Sequence, residues 1–278
     1  MNPEPRHQED YAPRQVEAAK RVLIDVGQIL ASFADCLVVV GGWAPDLLLT
    51  EAAEAHTGSI DVDLALDVER LGDGRYASLL KLLLDTQRYR KGEKLFQLIT
   101  DVDLKDGEKA VQVELDFLAP ESAQFEKNHP KLIEDFRILK VDGSEVAFQN
   151  PVNLTIPGRN VVGARNSVQL RVVSLPDFII MKAHALRGRE KPKDAYDICY
   201  CLENYPGGLE ALAGNWKSRL GEKAVTTAVA ILGEKFEGVD FLGPALYVEF
   251  YSSTDTEEQA MQARRAYELV HRLLSLLH

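Results

Sequence analysis

Asp61 and Asp63 flank Val62 in a stretch that alternates strictly, with Ile60, Val62, Leu64 and Leu66 on one side and the two aspartates on the other. On a β-strand, residues two apart share a face about 7 Å from one another, so both carboxylates can reach one hard cation. Without a cation or a donor between them, the two charges repel. Upstream, Cys36-Leu37-Val38-Val39-Val40 reads as a buried strand that stops at Gly41-Gly42, where a helical pattern begins with Trp43. Backbone N–H groups of a glycine pair can approach a phosphate closely, and the helix start adds partial positive charge. Downstream, Gln112, Glu114 and Asp116 share one face of another alternating strand, opposite Val111, Val113, Leu115 and Phe117. If the two strands are neighbours, Asp116 or Glu114 supplies a third carboxylate. Three such groups form the oxygen-rich environment that Mg²⁺ prefers, and they suit a two-metal phosphoryl-transfer site. Asp101-Val102-Asp103 repeats the pattern at a hairpin tip without a glycine turn before it, and is read as structural.

These residues need elements to hold them. Ala19, Val22, Leu23, Val26, Leu30 and Phe33 predict an amphipathic helix over 13–34, and Tyr76, Leu79, Leu80, Leu83 and Leu84 predict another. Two runs over 94–118 flank Lys105-Asp106-Gly107-Glu108 and read as a hairpin, with short strands near 137–147 and 168–173. Ser174-Leu175-Pro176 starts a helix, and the pattern stays helical from there, with a capping box at Thr254-x-x-Glu257 before the last helix. The expected class is α+β: a mixed sheet flanked by helices over 1–172, with an all-helical domain over 173–278. Trp43 could stack on a base or fill the core; His184 reads as packed or surface-exposed rather than catalytic.

The chain has 278 residues, 46% of them hydrophobic, and 43 acidic against 32 basic side chains, a net charge of −11. That balance excludes a broad basic surface for duplex nucleic acid and leaves room for a local basic pocket. Three cysteines are too few for a disulfide framework. No apolar leader core or membrane-length run appears, so a cytoplasmic protein with no membrane partner is expected. The basic segment Arg187-Gly188-Arg189-Glu190-Lys191-Pro192-Lys193 reads as a phosphate-binding lip, with Arg187 and Lys193 as nucleotide contacts, in preference to a solvated loop.

Gly41-Gly42-Trp43-Ala44, then Ser59-Ile60-Asp61-Val62-Asp63-Leu64, then Glu114-Leu115-Asp116 resemble the polymerase-β-like nucleotidyltransferase superfamily. With Lys182-Ala183-His184-Ala185-Leu186-Arg187 and Lys193-Asp194-Ala195-Tyr196-Asp197-Ile198, the chain is most similar to the AbiEii-type nucleotidyltransferases, the toxins of type IV toxin–antitoxin pairs. The resemblance covers about residues 36–200. It implies a nucleotidyltransferase-like sheet, with Gly41 and Gly42 cradling a triphosphate and Asp61 and Asp63 holding two Mg²⁺ ions, for which Mn²⁺ could substitute. Asp116 would be the third carboxylate and metal ligand, chosen over Glu114 because the family's aspartate is followed by apolar residues, as in Asp116-Phe117-Leu118, and because its shorter side chain holds a metal nearer the backbone. Lys182 would contact phosphate and Asp194 would assist nearby. Ser59 keeps a family serine, whereas Thr57 replaces a usual arginine.

The expected reaction is Mg²⁺-dependent transfer of a nucleoside monophosphate from an NTP to an acceptor hydroxyl. The resemblance favours an RNA 3′ end or a protein as acceptor and an antitoxin as partner; the acidic charge equally suits a small cationic, aminoglycoside-like acceptor. The rival class is a non-catalytic module of the same fold. Retention of all three acidic positions argues against it.

Overall fold

The structure, a computed structural model, describes residues 4–124 and 136–278. The chain divides into two compact units: Ala12–Ala44 with Gly58–Ser174, and Leu175–His278 with Pro45–Thr57 and the described part of Met1–Tyr11.

The first unit is built on a mixed sheet. In chain order its elements are α1 (Pro13–Ile29), β1 (Leu37–Val40), α2 (Trp43–Leu48, which runs on past this unit), β2 (Val62–Leu66), α3 (Val68–Asp85), β3 (Arg90–Lys91), β4 (Gln97–Val102), β5 (Val111–Pro120), β6 (Leu139–Val141), β7 (Val152–Arg159) and β8 (Arg165–Val172). The strand order is β3-β4-β5-β2-β1-β8-β7, with β6 beside β5. β2 runs antiparallel to β1 and parallel to β5, while β1 runs parallel to β8. All four residues of β1 are buried, as its β-branched run demands. Helix α1 covers one face with Val22, Leu23 and Val26. A methyl group at Gly27 would stand 3.1 Å from Leu170 and Val168, so the bare backbone is what lets the helix lie so close to β8.

One sequence expectation is corrected here, another is met, and one strand is new. The first helix stops at Ile29 and a 3₁₀ segment, Ala31–Cys36, replaces its expected end. The hairpin partner β7 was not legible, because Asn153, Pro157 and Gly158 break the strand pattern; an edge strand tolerates a proline that an inner strand would not. The hairpin β4–β5 is present, with Val102 opposite Val111.

The second unit is helical: α4 (Leu175–Gly188), α5 (Pro192–Glu203), α6 (Gly208–Lys217), α7 (Lys223–Lys235), α8 (Leu242–Tyr251) and α9 (Thr256–Leu277). Helix α4 begins one residue after Ser174, as the Ser-Leu-Pro signal predicts. Helix α5 is its centre, with every residue from Pro192 to Leu202 buried. The cap of α9 is Asp255 rather than Thr254: its carboxylate accepts the Glu257 and Glu258 N–H groups at 2.8 and 3.3 Å. Among the described residues no helix is long and apolar enough to cross a membrane.

Candidate active site

Strand β1 ends at Val40, level with Asp63 of β2, which is level with Asp116 of β5, which is level with Gln97 of β4. Neighbouring strands lie about 4.8 Å apart, so this row sets Asp63 and Asp116 side by side on one face. The chain leaves the row through Gly41, whose φ of +69° is a left-handed conformation. A Cβ there would lie 2.2 Å from Asp63 Oδ2. Glycine is therefore required twice, by the turn and by the carboxylate pressed against it. Gly42 follows, buried.

Asp61 sits just before β2. Its carboxylate Oδ1 accepts the Ser59 hydroxyl at 2.5 Å, and its backbone carbonyl accepts the Trp43 ring N–H at 2.7 Å. Trp43 is 1% exposed, so it packs in the core and pins the Asp61 peptide; it is no base-stacking platform. Both contacts fix the direction of Asp61 before any ligand arrives.

Asp116 is buried, with a side chain 12% exposed. Gln97 Nε2 donates to Asp116 Oδ1 at 3.0 Å and to Glu114 Oε2 at 2.6 Å. Lys94 Nζ stands 3.0 Å from Glu114 Oε2 and 4.0 Å from Asp116 Oδ2. Glu114, two residues back on the same face, is the more exposed of the pair and carries the Lys94 contact. Gln97 and Lys94 escaped the sequence reading, because only the β4–β5 register brings them to this row. Asp101 and Asp103 instead pair with Arg90 and Lys105 at 2.8 and 2.6 Å, which is the structural role expected of the second Asp-x-Asp.

Burial, with Asp61 and Glu114 nearby, pushes the Asp116 carboxyl up to about 6, against the Gln97 hydrogen bond and the Lys94 charge. The fold thus favours protonated Asp116. That stability is full below the unfolded value near 4 and is lost as pH rises through about 6. Asp116→Asn is expected to stabilise the metal-free protein by about 2 kcal/mol at pH 8, seen as a higher melting temperature in chelator, with the gain vanishing towards pH 4. An equal shift at both pH values would refute the assignment of this charge.

A divalent cation fits this donor set: oxygen ligands only, crowded negative charge, and a buried carboxyl that a cation would hold ionised. Among the described residues no three His, Cys, Asp or Glu side chains already enclose a metal-sized point. Asp61 and Asp116 are held instead by the Ser59 hydroxyl, the Gln97 amide and the Lys94 ammonium.

The remaining candidates belong to the helical unit. Lys182 Nζ lies 2.7 Å from Asp194 Oδ1 and 2.8 Å from Asp197 Oδ2, joining α4 to α5. Arg189 grips Asp194 with two nitrogens, at 2.7 and 3.0 Å. Asp197 Oδ1 also meets Lys193 Nζ at 2.7 Å and His56 Nε2 at 2.9 Å. Burial opposes charge on Lys182, and the two carboxylates outweigh it, raising its pKa. Burial likewise opposes ionised Asp194, and Lys182 and Arg189 bring it down to about 2. Burial, then the Lys193 charge, lowers His56 to about 4, so His56 is neutral at pH 7 and donates to Asp197. His56 escaped the sequence reading: a lone histidine outside any motif gives no signal. In the basic segment Arg187 is exposed, and Arg189, Lys191 and Lys193 each face a carboxylate of their own unit. His184 packs as expected, bonded to the Ala224 carbonyl at 2.9 Å.

The mixed sheet, its strand–glycine-turn–helix opening and the carboxylate row are those of a nucleotidyltransferase-like α+β fold. A family model described as Nucleotidyl transferase AbiEii toxin, Type IV TA system, matches residues 28–265. The chain belongs to this family and is a nucleotidyltransferase enzyme. A search of curated proteins gave no match.

Proposed function

We propose that this enzyme transfers a nucleoside monophosphate from an NTP to an acceptor hydroxyl, releasing pyrophosphate, as the cytoplasmic toxin of a type IV pair that an antitoxin protein restrains. The observation that carries the reading is the row Val40–Asp63–Asp116–Gln97, with Gly41 closed against Asp63. Asp61, Asp63 and Asp116 would hold Mg²⁺. When bound, the metal would neutralise charge on the triphosphate and on the attacking oxygen. Ser59 and the Trp43 ring N–H orient Asp61, and Gln97 orients Asp116, so that the ligands are set before substrate arrives. The turn at Gly41 offers main chain to the phosphates without a side chain in the way. Asp116, with its raised pKa, is also the group suited to accept the acceptor hydroxyl's proton. In the helical unit, Lys182 and the Arg187–Lys193 segment are the phosphate contacts and Asp194 their anchor, the reading that family membership supports. The acceptor is an RNA 3′ end or a protein.

Label position tests the reaction. With NTP labelled at the α-phosphate, the label is expected in RNA or protein; with label at the γ-phosphate, it is expected in pyrophosphate. Label moving from the γ-position onto an acceptor would mean phosphoryl transfer, and no movement of either label would favour a binding module.

A further inference from the structure

We propose that the open face of β7 and β8, carrying Arg159, Arg165 and Arg171, binds the sugar–phosphate backbone of an RNA strand. Strand pairing settles which face this is. Val39 lines the same small apolar gap as Leu23 and Val26 of α1, and Val39 is level with Val172 of β8. Val172 therefore faces α1, and alternation turns Arg165, Ser167, Gln169 and Arg171 to the other side. Val40 faces that same side, level with Asp63. The β7 partners of these residues, Arg159, Thr155 and Asn153 among them, share it. Arg159, Arg165, Ser167, Gln169, Thr155 and Asn153 are all exposed. The arginines thus stand on the carboxylate side of the sheet, and the Arg171 end of the row is the nearer to the carboxylates.

The charge of this face is opposite to that of the chain. No Asp or Glu occurs between residues 146 and 176, although the chain carries 43 of them. Arg159 and Arg165 make no ion pair among the described residues; Arg159 reaches only the Gly163 carbonyl at 2.7 Å, and Arg171 the Asp35 carbonyl at 2.5 Å. Where the hairpin ends, a groove of about 470 Å³ adds Lys20 and Arg21, and its one carboxylate, Glu17, is already paired with Arg21 at 2.9 Å. By contrast, the basic segment at 187–193 is largely spent on carboxylates.

The neighbours of these cations select the partner. Phosphate contacts are made by Arg, Lys, Ser, Thr, Asn and Gln, and those types make up this face. A protein partner would need apolar or aromatic anchors at the centre of its interface; of the strand residues on this face only Pro157 is apolar, and the exposed Val162 stands at the hairpin turn. Six residues separate Arg165 from Arg171, about 20 Å along the strand, which is a track rather than a single-phosphate pocket. The RNA body would lie on β7–β8 with its end directed along the face towards Asp63. That this RNA is the acceptor rests on the function proposed above; the binding surface does not.

Fluorescence anisotropy with the full chain and a labelled RNA bearing a single-stranded 3′ tail tests this. Arg159→Ala/Arg165→Ala, which alters only exposed side chains, is expected to bind at least about tenfold more weakly at low salt. Its log–log salt slope should be shallower by roughly 0.7 for each phosphate that the variant no longer neutralises. Asp63→Asn is expected to bind RNA no less tightly than wild type, so failure of the catalytic assignment and failure of this surface are read separately. No RNA binding by wild type, unchanged binding by the double variant, or competition by polyglutamate as strong as by unlabelled RNA would each overturn the proposal.

Discussion

Asp63→Asn is expected to lower pyrophosphate release by about a thousandfold or more while leaving the circular-dichroism spectrum unchanged. Asparagine fills the same space against Gly41, so the turn has no reason to move. What disappears is the charge level with Asp116 and, on the proposed reading, a ligand for a cation worth several kcal/mol in a phosphoryl-transfer transition state. Asp101→Asn and Asp103→Asn serve as controls. Their carboxylates make half-exposed surface pairs with Arg90 and Lys105, and such pairs contribute at most about 1 kcal/mol. Both variants are expected to keep wild-type turnover. A fall in them comparable to that in Asp63→Asn would mean that general acidity, not this row, supports activity.

The largest effect on stability is expected at Asp197. Its carboxylate is the meeting point of Lys182, Lys193 and His56 and is 0% exposed. Asp197→Ala removes the carboxylate that the buried Lys193 ammonium faces and leaves Lys182 with Asp194, and breaking a buried pair in this way costs about 3–5 kcal/mol. Thermal unfolding of the variant would show it as a melting point many degrees lower. Lys182→Met should be the milder change, because Asp194 retains Arg189 and Asp197 retains Lys193 and His56; a Lys182→Met defect in the KM for NTP, measured well below its melting point, is the sign of a phosphate contact beyond the structural one. Acid acts on the same cluster. His56 has its pKa lowered to about 4 from an unfolded value near 6.5, so protonation favours the unfolded chain. The stability it gives is full above pH 6.5 and is lost as pH falls towards 4. His56→Gln keeps a donor near the Nε2 position without the titration and should flatten that part of the pH–stability curve. A curve of unchanged shape would show that His56 titrates as a free imidazole does.

The strands of the carboxylate row were legible because each carries its own period. Alternation in 60–66 and 111–117 separated acidic from apolar residues, and the glycine pair after a β-branched run marked the turn. What alternation cannot supply is pairing: that β2 and β5 are neighbours, with Asp63 level with Asp116, is a property of the sheet. Gln97, Lys94 and the Trp43–Asp61 bond were hidden for that reason, since each acts through a register or a packing contact. The edge strand β7 was masked by its own proline and glycine. The basic segment at 187–193 was legible as a run, but its partners were not. Sequence shows a run of cations but not the carboxylates, from Glu4 to Asp197, that the fold sets against them. The arginines of β7–β8, spaced six residues apart, form no run at all and become a row only when two strands pair.

The most direct test of the carboxylate assignment is the shift in melting temperature that NTP produces with Mg²⁺ or Mn²⁺, compared between wild type and Asp61→Asn. Asp61 is half-buried, and its Ser59 and Trp43 contacts can persist in the asparagine variant. Wild type should be stabilised by NTP and metal together, more than by either alone, and Asp61→Asn should lose that joint shift along with pyrophosphate release. An Asp61→Asn protein that keeps both the metal-dependent shift and wild-type turnover would contradict the account.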